Sequence, residues 1–106
     1  MPTSRRRLPA TLRAFESKFP RVFAEYHGLV DACRAAGPLG PKTCELIAIG
    51  IEVARKRHGG LVAHIARARA AGASRAEIYQ AILLAAPLVG LPEVLDAFRV
   101  AKKRLG

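Results

Sequence analysis

Two glutamates seven residues apart inside an apolar run, Glu45 and Glu52, constrain this chain more than any other feature. Residues 41–72 read PKTCELIAIGIEVARKRHGGLVAHIARARAAG. Pro41 suits a first helical position, because its fixed φ is pre-set and its missing N–H would have no partner there. Residues 46–54 continue as an apolar helix. At about 3.6 residues per turn, Glu45 and Glu52 lie nearly on one line of it. The basic corner Arg55-Lys56-Arg57-His58-Gly59-Gly60 breaks this helix, and a second begins at about Gly60, carrying His64 in its first turns. Two carboxylates and one imidazole in apolar surroundings are what a proton-handling site requires. A plainer reading stands beside it. Glu45 in a first turn complements the helix dipole, and a single histidine on a short helix is more often a hydrogen-bonded core or interface residue. Glu52, mid-helix between Ile51 and Val53, is harder to explain that way.

The same periodicity covers the rest of the chain. Leu12, Phe15 and Phe19 mark a short amphipathic helix from Pro9 that ends at Phe19-Pro20, since a residue before proline avoids the helical region. A second helix runs from Pro20 to about Ala36, with Val22, Phe23, Tyr26, Leu29, Val30 and Cys33 as its apolar stripe. Gly37-Pro38-Leu39-Gly40-Pro41 is a compact turn, and so short a link implies antiparallel neighbours. The third helix covers Pro41 to about Lys56, and the fourth about Gly60 to Ala71, ended by Gly72. Ser74-Arg75-Ala76-Glu77 is a capping box that starts a fifth at Arg75. Its body, residues 78–89, is nearly all apolar, which predicts burial on several sides, and Pro87 should kink or shorten it. After Gly90-Leu91-Pro92 a last helix reaches Arg104, with Leu95, Phe98 and Val100 expected inward. No stretch alternates as a strand does. The expected class is all-α, about six helices with short connections. Helices three to five are more apolar than a small monomer hides, which predicts a subunit interface.

Length and composition bound the function. A chain of 106 residues suits one domain: a basic tail over residues 1–8 and a helical domain over 9–106. An apolar content of 51% opposes disorder. No apolar run is long enough to cross a bilayer, and no apolar signal core follows the basic start, so the expected setting is cytoplasmic, without membrane attachment. The Arg- and Ala-rich, amide-poor composition is the kind expected of a heat-adapted or GC-rich source. A net charge of +10 would attract anionic metabolites or nucleic acid. Nucleic acid is disfavoured, because aromatics are only 6% and most cations are dispersed between the terminal clusters Arg5-Arg6-Arg7 and Lys102-Lys103-Arg104. The two cysteines, Cys33 and Cys44, form no disulfide framework. They lie at similar distances from the 37–41 turn and so are candidates to face one another as a redox pair, against the reading of two separate buried thiols. No Cys/His spacing suits a metal, and no cofactor is implied.

The runs LGPKTCELIAIGIEVA and GGLVAHIARARAAGASRAEIYQAILLAAPLVGLPEVLDAFRVAKK resemble the carboxymuconolactone decarboxylase and alkylhydroperoxidase D (AhpD-like) superfamily. The similarity covers residues 39–103, and its most telling parts are PKTxEL, the H-I-x-x-A-x-x-x-G-A-[ST]-x-x-E-I block ending at Ile78, and the G-L-P turn. It implies an all-helical subunit in a homo-oligomer, commonly a trimer or hexamer, with sites near subunit contacts. The peroxidase branch uses E-x11-C-x2-C-x3-H. Glu45 and His64 fall on its acid and histidine, but Arg57 and Gly60 stand where its cysteines would be. Without those thiols the usual peroxide-reducing mechanism has no nucleophile. Cys44 adjoins Glu45 in sequence but points about 100° away on a helix. The decarboxylase branch also lacks the CxxC and keeps the histidine and a basic corner, which Arg57 and His58 echo.

The resemblance thus favours decarboxylase-like acid–base chemistry on a small anionic substrate. His64 and Glu45 would be catalytic, with Arg57, His58 and Glu52 at the substrate. The alternatives are a peroxiredoxin-type antioxidant using Cys44 and Cys33, and a non-catalytic oligomeric protein that binds small ligands.

Overall fold

Breaker residues divide a chain with 3–4 apolar spacing into helices joined by short connections, and the described residues fold that way. The computed structural model describes residues 9–106; the basic segment 1–8 lies outside the described residues. Six helices of nine residues or more and one four-residue turn occur among the described residues, without a strand. None is long and apolar enough to cross a membrane.

The chain forms two compact units, Met1–Pro38 and Leu39–Gly106. In the first, α1 (Ala10–Lys18) and α2 (Pro20–Ala35) are separated by Phe19 alone. Its φ of −130° and ψ of 65° leave the helical region, as the proline after it demands. The Phe15 and Phe19 rings pack at a tilt across the break, centroids 5.4 Å apart. Phe23 meets the edge of His27 at 4.5 Å. Of the expected α2 stripe, Phe23 is buried and Val30 half-buried, whereas Val22, Tyr26 and Leu29 are exposed in this single chain.

The second unit holds α3 (Pro41–Arg55), α4 (His58–Ala70), α5 (Arg75–Leu83), the single turn α6 (Ala86–Val89) and α7 (Leu91–Leu105). Its core joins Ile49 and Val53 of α3, Leu61, Ile65 and Ala68 of α4, Ile78 and Ile82 of α5, and Val94, Ala97, Ala101 and Leu105 of α7. The α5 N-terminus is closed by the expected capping box. Glu77 N–H donates to Ser74 Oγ at 3.0 Å, and Ser74 N–H donates to Glu77 Oε1 at 2.8 Å. Lys42 Nζ lies 3.0 Å from Glu77 Oε2 and ties the start of α3 to that of α5. The Ser74 backbone bond first, and then Lys42, hold the Glu77 carboxyl below the usual glutamate range.

Three expectations are corrected. The fourth helix begins at His58, not Gly60. Lys56 takes the left-handed conformation, φ 58°, and closes α3 in a Schellman motif, with Arg57 N–H donating to Glu52 O and Lys56 N–H to Val53 O. The chain thereby reverses in two residues, and Gly59 and Gly60 enter the first turn of α4. The apolar stretch 78–89 is not buried on all sides. It breaks after Leu83, because Pro87 has no N–H and its ring clashes with the carbonyl four residues back, and Leu83, Leu84 and Leu88 are exposed. In α7, Leu95 and Phe98 are also exposed, while Val100 packs half-buried against the core as expected, and the buried face is Val94, Ala97, Ala101 and Leu105. Both sets have helical spacing. The one with two alanines lets the α7 backbone approach the core closely, and Phe98 instead packs against Tyr79, centroids 5.5 Å apart.

Candidate functional site

Helix α3 buries one face against α4, and its two acids lie on that face. Glu45 is the one buried charged residue among those described. His64 projects from α4 toward it, and its Nδ1 is 2.7 Å from Glu45 Oε1. When Glu45 is a carboxylate its oxygen accepts, and the hydrogen between them is then supplied by Nδ1. The other ring nitrogen, Nε2, faces Glu52 Oε2 at 3.8 Å. The imidazole is therefore bracketed by two carboxylates, with side-chain exposures of 6% for Glu45, 18% for His64 and 13% for Glu52.

Glu52 owes its position to a missing side chain. Its carboxylate rests against the Cα of Gly60, where an added Cβ would lie 2.6 Å from Cδ and nearer still to Oε2. Gly60 is one helical turn before His64, so the two share a face of α4. The signal available in the sequence is this four-residue spacing, Gly60 to His64. On its outer side Glu52 Oε1 accepts from Arg55 Nη1 at 3.4 Å. Lys56 Nζ lies 3.1 Å from Glu93 Oε2 and holds the corner against the start of α7.

The basic corner is open to solvent. Arg57 is the residue before α4, its carbonyl accepting from Leu61 N–H at 2.9 Å, and Arg57 and His58 are both exposed. Glu52, expected with them at the substrate, is placed against the imidazole. The cysteines are both free thiols. Cys33 is exposed rather than buried, and the half-buried Cys44 directs its Sγ to Leu39 O at 3.6 Å.

Two concavities mark the second unit. An apolar groove of about 570 Å³ runs between α3 and α5–α6, lined by Ile47, Ile51, Leu84 and Leu88 among others. A smaller pocket of about 230 Å³ lies among α4, α5 and α7. The Glu45–His64–Glu52 cluster lines neither.

The sequence matches the carboxymuconolactone decarboxylase family over residues 18–103. The chain belongs to that family. The match takes in both acids, the basic corner, His64 and the arginines of the smaller pocket except Arg104. No curated protein and no solved structure matches the chain significantly.

Proposed function

We propose that this member of the family carries out decarboxylase-like acid–base chemistry on a small carboxylated metabolite, with His64 as the proton carrier. The observation that supports it is the 2.7 Å bond from His64 Nδ1 to the buried Glu45, which leaves Nε2 directed at Glu52. Loss of CO₂ breaks the bond between a ring carbon and the carboxyl carbon. The electron pair stays on the ring skeleton, and a proton must arrive there. Protonated Nε2 delivers it, and Glu45 stabilises the imidazolium before transfer and fixes the tautomer after it. The imidazole regains its proton from water, beside Glu52. One carboxylate and one proton are consumed, and one CO₂ and one protonated product are formed. Arg57, at the exposed corner with His58, attracts the substrate anion.

The test is CO₂ release from a carboxylated muconolactone by the wild type and by His64→Gln, with circular dichroism to verify the fold. A general acid contributes roughly 100-fold or more to a rate, so the variant should lose at least that. Equal turnover removes the reading. Substrate-dependent stabilisation without turnover in the wild type indicates a binding protein instead, and loss of both thiols on peroxide treatment the antioxidant alternative.

We also infer that copies of the chain associate, as a trimer or hexamer. In support, Ile47, Ile51, Leu84 and Leu88 are exposed along one groove, and contiguous apolar surface of this kind marks interaction sites. Light scattering should report a multiple of the 11.4 kDa chain mass, and Leu84→Glu should lower it. A wild-type monomer at every concentration removes this inference.

A further inference from the structure

Three arginines from three helices line the smaller pocket. Arg69 comes from the last turn of α4, Arg75 is the first residue of α5, and Arg104 is in the last turn of α7. Its floor is apolar, formed by Val62, the buried Ile65 and the buried Leu105. No acid lines it. Arg69 is held in place by donating from Nη1 to Ala73 O at 3.0 Å. Arg75 and Arg104 have neither an ion pair nor a side-chain hydrogen bond among the described residues, although Arg99, Arg55 and Arg21 pair with acids on the same molecule. Like charges gathered around one concavity repel unless an anion lies between them, and the planar guanidinium fork matches phosphate and carboxylate oxygens.

We propose that this pocket binds a small phosphate monoester through Arg69, Arg75 and Arg104, with the ester's apolar group resting on Val62, Ile65 and Leu105. The volume of about 230 Å³ is below the roughly 300–1,000 Å³ of drug-sized sites. It suits a phosphate and one ring. The site is separate from the Glu45–His64–Glu52 cluster and does not depend on the activity proposed for it.

The test is calorimetric titration of the full chain with phenyl phosphate, inorganic phosphate and phenol. Phenyl phosphate should bind at least several-fold more tightly than inorganic phosphate, and phenol should show no binding. Arg75→Ala with Arg104→Ala should weaken phenyl phosphate about tenfold or more. Lys102→Ala with Lys103→Ala removes the same charge outside the pocket and should leave the affinity within about twofold. Both arginines are exposed and have no ion pair among the described residues, so the unliganded double variant should melt near the wild type; if it does not, Arg75→Gln alone should still weaken binding several-fold. Equal weakening in the two double variants would show attraction by net charge and overturn the site. So would equal affinity for the two phosphates, or no binding of phenyl phosphate.

Discussion

Gly60→Ala separates the position of Glu52 from the stability of the fold. The new methyl carbon would lie 2.6 Å from Glu52 Cδ and 3.1 Å from Oε1, whereas ordinary contact begins at 3.4 Å. Oε2 lies nearer still, so the carboxylate must move out by about an ångström or slightly more. It is the far end of a flexible side chain, and Arg55 waits on its solvent side at 3.4 Å, so the backbone need not yield. Two energies oppose each other. Alanine is favoured over glycine in a helix by at most about 1 kcal/mol. Losing the Glu52–His64 proximity, a 3.8 Å contact longer than a hydrogen bond, costs on the order of 1 kcal/mol. For a chain of this size about 1 kcal/mol moves Tm by roughly 4–8 °C, so the near-cancellation predicts a melting point within about 5 °C of the wild type. The imidazole ¹⁵N resonances of His64 should nonetheless shift, and shift as they do in Glu52→Gln. Adding Glu52→Gln to Gly60→Ala should then change them little. Wild-type His64 resonances in Gly60→Ala would refute the argument that this glycine seats the carboxylate. A drop in Tm well beyond 10 °C would show that the backbone, and not the side chain, had yielded.

Other outcomes follow from the same geometry. Glu45→Ala leaves the half-buried Nδ1 without its acceptor and should destabilise the chain by about 1.5–3 kcal/mol in urea unfolding, as expected for a charge-assisted bond. Ile78→Ala empties a fully buried site and should cost about 2–5 kcal/mol by the same measurement. The Glu77 carboxyl titrates below its usual range in the folded chain, so its contribution is present at neutral pH and is lost as pH falls through that lowered value. Glu77→Gln can still accept from Ser74 N–H but does not titrate, so its acid-side stability profile should be flatter than the wild type's.

Helix positions were legible because proline, glycine and capping chemistry act locally. Pro41, the Ser74–Glu77 capping box and the break around Pro87 need no knowledge of distant residues. Expectation and structure part where a local pattern has two solutions. In α7 the sets containing Leu95–Phe98 and Val94–Ala97–Ala101–Leu105 are both helical faces, and only the core's demand for close approach selects the second. At the corner, Lys56 in the left-handed region is a conformation for which lysine carries no signal. At the site, spacing put Glu45 and Glu52 on one line, but it did not show that Glu52 faces the imidazole.

The one-dimensional pattern by itself determined an all-helical chain and its resemblance to the family. The first follows from periodicity and the second from motif residues at fixed offsets. Tertiary structure alone decided that Nδ1 is the nitrogen bound to Glu45, that a glycine's bare Cα supports the second carboxylate, and that three arginines from α4, α5 and α7 line one pocket. Each is a meeting of groups on different helices, which spacing along one helix does not place together.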